Sequence, residues 1–463
     1  MDLLRGFRPR RGWLVAGLAC LALGVCGCGG PKRLPPVITA AESVPGLKAA
    51  APALLGIGLA EDRAAIVLVT GGPSVLTSAE DGSRLLAVNE TGRKVVLERR
   101  GPRVFWRSGA DSGSATRIRL EPLDPGDLPV FDGRSYRGDF LVVPSPGGNG
   151  LTLINNVDLE AYLRGVVPWE IGRHDKSATA ALEAQAVAAR TYTISHLQER
   201  ADHGFDLFAD VMDQVYKGSD GEDPLCNLAI RRTRGLVLES GSELVEAYYS
   251  ACCGGTTSRI EKVWPRSARP YLVDHPDAPG PGDEPFCSQY KYYTWSQSWS
   301  PGQLTAILQR TLPEYHEAFA TGARARWAGP IFSPQSRTAN PLQPGELLDL
   351  EILDRTPSGR VATLAVTTTA GTYRVRGDRV RWVLARPGPG GGILRSAMFD
   401  LELERDGHGI TSVTARGRGY GHGIGMCQAG ALVMARRGYD FAAILSHYYP
   451  GSRLARLRSG SRP

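Results

Sequence analysis

One stretch limits what this chain can fold into more than any other: Val157-Asp-Leu-Glu-Ala-Tyr-Leu-Arg-Gly-Val-Val-Pro-Trp-Glu-Ile171, with the alanine-rich run behind it. Leu159, Tyr162 and Leu163 recur at helical spacing. Gly165 predicts a helix stop, because glycine takes the left-handed conformation that ends helices. Val166 and Val167 are then expected to be extended, the second because Pro168 disfavours the helical region for the residue before it. The resulting arm presents Trp169 and Glu170. A carboxylate beside a large apolar ring loses hydration, which raises its pKa. A raised carboxyl can act as a general acid near neutral pH. The alternative is an ordinary surface glutamate after a proline turn.

A helix is expected from Ala178 to about Arg200, with Ser177 as its N-cap. Its centre, Ala180-Ala-Leu-Glu-Ala-Gln-Ala-Val-Ala-Ala-Arg190, is small enough for neighbours to pack against the backbone. Gln185, Tyr192 and His196 share one face. Buried polar groups need partners, so this stripe is either a binding face or a structural network.

Upstream, residues 64–70, 84–88, 94–97 and 103–106 read as short strands between turns. Residues 136–143 and 151–156 read as a hairpin closed by Gly147–Gly150. The 56 glycines and 32 prolines favour loops and strands over long helices. The fold class expected is α+β: a β-rich accessory N-terminal region, then a mixed α/β domain with a glutamate-bearing cleft. The expected divisions are 1–28, an export signal; 29–53, a Pro/Ala-rich tether; 54–115, a small β-rich domain; 116–455, the main domain with a variable segment at about 275–345; and 456–463, a basic tail.

Export is read from Arg5, Arg8, Arg10 and Arg11, followed by an apolar run from Trp13 to Val25 that is short for a membrane span. Val25-Cys26-Gly27-Cys28 resembles a bacterial lipobox with Cys28 as the lipidated residue, Cys26 being the alternative. The net charge of +7 suits an anionic polymer or surface. The arginines are scattered and no nucleic-acid motif occurs, so nucleic acid is not an expected partner.

Eight cysteines occur, three of them (Cys20, Cys26, Cys28) in the signal. The remaining five, Cys226, Cys252, Cys253, Cys287 and Cys427, leave at least one thiol unpaired. Cys252, Cys253, Cys287 and His275 raise a zinc site, but the two closely spaced ligand pairs of a structural zinc site are absent. A disulfide between Cys253 and Cys287, or free buried thiols, is expected instead. No cofactor is expected, with zinc the alternative.

Phe205 to Gly218 carries Asp213, Gln214 and Tyr216, which can hydrogen-bond a polar ligand. Residues 235–238 and 244–249 suggest a hairpin, followed by the glycine loop Ser250-Ala-Cys-Cys-Gly-Gly-Thr-Thr257. Asn227 to Thr233, Ser300 to Leu308 and Leu432 to Arg437 read as helices, and Asp440 caps a last one. In Gly417-Arg-Gly-Tyr-Gly-His-Gly-Ile-Gly-Met-Cys-Gln-Ala-Gly-Ala431 the glycines admit close approach to His422. No Walker lysine–serine pair accompanies it, so a nucleotide site is not expected. His422 reads as a hydrogen-bonding or acid/base group, since no second histidine stands at ligand spacing.

Taken in order, Asn156 to Ile171, Ala184-Gln-Ala-Val-Ala-Ala-Arg-Thr-Tyr192, Asp213-Gln-Val-Tyr216, Thr233-Arg-Gly235, Tyr249-Ser-Ala-Cys-Cys-Gly-Gly255, Tyr271-Leu-Val273 and Gly419 to Ala431 resemble the stage II sporulation protein D and LytB group of bacterial cell-wall proteins. The resemblance spans roughly residues 116 to 455. It implies a lytic transglycosylase that cuts peptidoglycan glycan strands stripped of stem peptides, with Glu170 as the catalytic acid. It further implies that Gln185, Arg190, Tyr192, Asp213, Gln214, Tyr216, Ser250, His422 and Gln428 line the sugar cleft or brace Glu170. Some members bind zinc through histidine and cysteine; here Tyr249 stands where a histidine would support that. The rival reading is a non-catalytic module that binds peptidoglycan and stimulates a cell-wall amidase. A hydrolase using Glu170 with Asp213 as base is a third. The place implied is the cell envelope, as a membrane-anchored lipoprotein facing the periplasm.

Overall fold

Leu151–Val157 is the strand around which the N-terminal half assembles. It pairs antiparallel with Asp139–Pro144 on one side and with Leu55–Arg63 on the other. All its residues but one are buried, as expected of a central strand covered on both faces. The computed structural model describes residues 46–50, 52, 54–320, 343–388 and 391–458. The export signal, Cys28, most of the tether, residues 321–342 of the variable segment and 459–463 of the basic tail lie outside the described residues.

The seven-stranded sheet runs, in spatial order, Leu207–Phe208, Leu55–Arg63, Leu151–Val157, Asp139–Pro144, Ile118–Pro122, Ser74–Ser78 and Arg84–Val88. A six-stranded sheet holds Arg134–Ser135, Val130–Phe131, Ala65–Val69, Lys94–Arg100, Arg103–Ser108 and Asp111–Ala115. Both sheets draw strands from each side of residue 115, so the β-rich region and the first strands of the main domain share one hydrogen-bonded framework and one apolar core.

Eight helices follow in the described chain: α1 (Leu159–Glu170), α2 (Thr179–Ser195), α3 (Pro224–Arg232), α4 (Ile260–Val263), α5 (Pro301–Ala320), α6 (Val380–Val383), α7 (Gln428–Arg436) and α8 (Phe441–Tyr448). The fold is α+β, as its sequence predicts. α2 is buried on all sides, packed by α1, α3, α7, α8 and strand Leu236–Ser240. Its alanines are what let so many neighbours crowd one helix. A four-stranded sheet places Gly46–Ala50 beside Arg453–Arg458, then Leu236–Ser240 and Glu243–Leu244. Two three-stranded sheets, Thr294–Trp299 with Gly409–Arg418 and Phe399–Asp406, and Leu347–Arg355 with Val361–Thr368 and Gly371–Arg376, enclose a second apolar core with α5. No described helix is long and apolar enough to cross a membrane.

Several local expectations are corrected. α1 does not stop at Gly165 but continues through Val166, Val167 and Pro168, all buried, to Glu170. Burial outweighs the local bias against helix before proline. Gly165 is required for space rather than for a left-handed turn: a Cβ there would lie 2.5 Å from the Tyr216 ring and 2.6 Å from the Gly218 carbonyl oxygen. The left-handed glycine is Gly172, with φ +91°, two residues past the helix. Ser177 does not cap α2; it sits in a short 3-10 turn whose amide is taken by Asp175. α2 ends at Ser195 rather than near Arg200, and α7 begins at Gln428 rather than Leu432. Asp440 does cap α8, accepting from the Ala443 amide at 2.7 Å.

Candidate active site

Because α1 runs on, Glu170 stands at a helix C-terminus. The Val215 amide donates to its Oε1 at 2.7 Å. Burial pushes the carboxyl up to about 7, against the opposing pull of that amide. Trp169 is not the group that dries it: its ring is 45 % exposed, turned toward Gly221 and Arg134. The phenols of Tyr162, fully buried, and Tyr249, partly buried, lie close enough to feel the Glu170 charge, and desolvation raises both well above the usual tyrosine range.

The segment Asp213–Tyr216 locks this arrangement, each residue in turn. Asp213 accepts from Arg200 at 2.9 and 3.2 Å, from the Phe208 amide at 2.8 Å and from the Tyr192 hydroxyl at 3.3 Å. Gln214 accepts from Thr193 at 2.7 Å and Tyr162 at 3.3 Å, and donates to the Tyr249 hydroxyl at 2.8 Å. Val215 holds Glu170. Tyr216 donates to Asn155 on the central strand at 2.9 Å. The Lys217 amide returns to the Gly165 carbonyl.

Beyond Tyr249 the chain enters the glycine loops. Tyr249–Ser250 pairs in parallel with Met426–Cys427, and Gln428 opens α7. Gly421, at φ +109°, passes over Ser250 at a distance that a Cβ would close to 2.7 Å. Gln428 donates to Gln185 at 3.2 Å. Two polar groups in this region, Gln185 Nε2 and Ser250 Oγ, are buried and without a hydrogen-bond partner among the described residues. Such orphans are costly, and a bound polar ligand is one way to satisfy them.

Other residues expected at the site have structural employment. Arg190 is fully buried and forms a bidentate pair with Glu160, at 2.9 and 2.7 Å, while donating to the carbonyls of Leu236 and Ile230. It points to the packing of α1 against α3 rather than to a ligand. His422 Nδ1 accepts from the Ile424 amide at 3.0 Å, so its other nitrogen donates to the Tyr249 carbonyl at 2.9 Å. Burial pushes its pKa down to about 4, which leaves a neutral, hydrogen-bonding ring. Tyr192 stacks on His196, whose Nε2 meets the Tyr248 hydroxyl at 3.0 Å. The polar stripe of α2 is thus mainly a network.

The five cysteines are free and buried. Cys253 and Cys287 approach to 3.7 Å between sulfurs, as thiols rather than a disulfide. His275 meets His447 at 3.3 Å. The Tyr249 hydroxyl, tied to Gln214, does not fit a metal ligand's role. Four contributors escaped the sequence reading: Tyr162, Asn155, Arg200 and the Val215 amide. Arg200 and Asn155 gave no signal; Tyr162 read only as an apolar position.

A family model described as stage II sporulation protein matches residues 147–239, which include Glu170, Gln185, Arg190, Tyr192, Asp213, Gln214 and Tyr216. A model described as a domain of unknown function matches residues 330–425. The amidase enhancer of Bacillus subtilis is 28% identical over 356 residues, 74% of this chain and 47% of that protein. An uncharacterized protein of Brachyspira hyodysenteriae is 33% identical over 144 residues, 31% of this chain and 38% of that protein. The stage II sporulation protein D of Bacillus amyloliquefaciens is 29% identical over 315 residues, 64% of this chain and 74% of that protein. The chain therefore spans less than half the length of the first two relatives and about three quarters of the third.

Proposed function

The chain belongs to the stage II sporulation protein D and LytB family, and from that premise we propose that it remodels the cell wall as a peptidoglycan lytic transglycosylase with Glu170 as its acid. The observation that carries this reading is the Glu170 carboxyl, raised to about 7 by burial and held by one backbone amide. A carboxyl so placed keeps about half of its molecules protonated at pH 7 and can give its proton to the glycosidic oxygen as the bond between N-acetylmuramic acid and N-acetylglucosamine breaks. The carboxylate left behind takes the proton of the muramic C6 hydroxyl, whose oxygen closes onto C1. The products are a free N-acetylglucosamine 4-hydroxyl and a 1,6-anhydro ring, and no water is consumed.

A hydrolase of the usual kind needs a second carboxylate, as base or nucleophile. Asp213, the base of the hydrolase alternative, is 1% exposed and both its oxygens are occupied by Arg200 and the Phe208 amide. That favours the single-carboxylate reaction. Gln185 and Ser250, with their orphan groups, are the proposed contacts for the sugar's hydroxyl and acetamido groups, and Gln428 orients Gln185. Tyr192, Asp213, Gln214 and Tyr216 act as positioning residues. The proposed setting is the cell envelope, with an anchor at Cys28.

The second reading is a peptidoglycan-binding stimulator of a cell-wall amidase; the Bacillus subtilis relative, an amidase enhancer, favours it. Mass spectrometry separates the two. Denuded and intact peptidoglycan are incubated with the protein and with Glu170→Gln. Anhydro-muramyl products from the wild type alone support the transglycosylase. Glycan binding by both proteins with no soluble sugar from either overturns it in favour of the stimulator.

A further inference from the structure

We propose that Cys253, Asp277, Cys287 and Cys427 bind one divalent zinc-type cation, as a structural centre that fixes the loops carrying Ser250 and Gln428. One ligand atom from each of the four lies within 4.8 Å of every other, and all four residues are buried. They come from three separate segments, so their meeting is a product of the fold. A tetrahedral ion with zinc–sulfur bonds of about 2.3 Å sets its sulfurs about 3.8 Å apart; Cys253 and Cys287 stand at 3.7 Å. A four-iron cluster needs wider spacing. Four protein ligands in a closed pocket describe a structural site rather than a catalytic one, which keeps a position open.

The surroundings are those of metal-bound thiolates. Cys427 Sγ accepts from the amides of Cys253 at 3.2 Å and Gly430 at 3.4 Å. The Tyr448 hydroxyl donates to Asp277 Oδ1 at 2.6 Å, leaving Oδ2 to face the sulfurs. Outer partners of this kind orient metal ligands. Asp277 is fully buried, and no Lys or Arg pairs with it among the described residues. Arg360 is the converse, a buried guanidinium that among the described residues donates only to neutral oxygens, the Cys253 and Thr256 carbonyls and the Ser258 and Ser358 hydroxyls. Buried charges without partners are costly. One divalent ion with three thiolates and a carboxylate carries a net charge of minus two, so it gives Asp277 its cation and places an anion beside Arg360. Binding releases the three thiol protons.

The proposal is independent of the reaction assigned above. Full-length protein, purified without chelator, is expected to carry one zinc per chain by elemental analysis. Stripped protein titrated with cobalt(II) is expected to show the thiolate-to-metal charge-transfer band and the strong visible bands of a tetrahedral site. Cys427→Ser and Asp277→Asn should lose those bands or shift them, and Tyr448→Phe should weaken cobalt binding roughly tenfold or more. Cys226→Ser, whose thiol belongs to α3 and lies outside the group, should change nothing. Wild-type protein that carries no metal and gives no thiolate–cobalt band overturns the proposal, whether or not Cys253 and Cys287 are then found joined as a disulfide.

Discussion

The Val215 amide and the Glu170 carboxylate meet at 2.7 Å, and this contact joins the end of one helix to the segment whose other side chains grip α2. It opposes, without cancelling, the effect of burial, which leaves the carboxyl at about 7. Activity that needs the protonated acid should therefore be high below pH 7 and fall as pH rises through it. The profile of kcat/KM against pH on denuded glycan checks this; a profile flat between pH 6 and 8 contradicts the assignment of Glu170 as acid.

Glu170→Gln should lower kcat by roughly 10²–10⁴-fold, the usual worth of a general acid, while the protein stays folded. The same substitution has a stability signature. The folded pKa of Glu170 is raised, so its contribution is fully present below the ordinary carboxyl pKa of 4.5 and is lost as pH rises through about 7. Glutamine does not titrate. The melting temperature of the variant relative to wild type should rise steadily across that window and level off above it.

Arg190 tests the division between structure and site. Arg190→Met leaves Glu160 partly buried and unpaired, which should cost about 3–5 kcal/mol by urea unfolding. Activity per folded molecule and KM should hardly change, because the guanidinium meets Glu160 and backbone carbonyls instead of a ligand.

Gly165→Ala places a methyl 2.5 Å from the Tyr216 ring. Overpacking of this kind costs about 1–3 kcal/mol. The displaced element is either the last turn of α1 or the segment after Gln214, and both hold Glu170. Activity should fall further than the loss of folded protein accounts for, read as kcat at a temperature well below the melting point.

Ser250→Ala removes a buried hydroxyl with no partner among the described residues. Deleting an unsatisfied group is near neutral for stability or slightly favourable. If the hydroxyl binds sugar, KM rises while the melting temperature holds; unchanged KM removes Ser250 from the substrate contacts. Gln185→Ala should follow the same pattern.

How far the chain could be read in advance follows from the range of each interaction. The α2 helix and the hairpin ahead of α1 were legible because spacing and turn residues act locally. Gly165 misled because its lack of a side chain serves Tyr216, fifty-one positions later, and no local rule separates that use from a helix stop. Arg190 and His422 stood in recognisable motifs, yet their partners, Glu160 and the Tyr249 carbonyl, are set by tertiary packing. The same is true of Cys427 and Asp277, whose separations from Cys253, 174 and 24 residues, follow no ligand-spacing pattern.

The parallel pairing of Gly46–Ala50 with Arg453–Arg458 joins the first described strand to the last. Arg453–Arg458 is also the neighbour of Leu236–Ser240, which packs on α2. A ribosome adding roughly 5–20 residues per second needs on the order of 20–80 seconds to supply the later partner after the earlier one. Once α2 has been made, the flank that α7 and α8 cover stays open to any holdase that meets the nascent chain until those two helices follow. Synthesis of α7, α8 and Arg453–Arg458, rather than growth of the N-terminal sheets, is the event that closes the layers around α2.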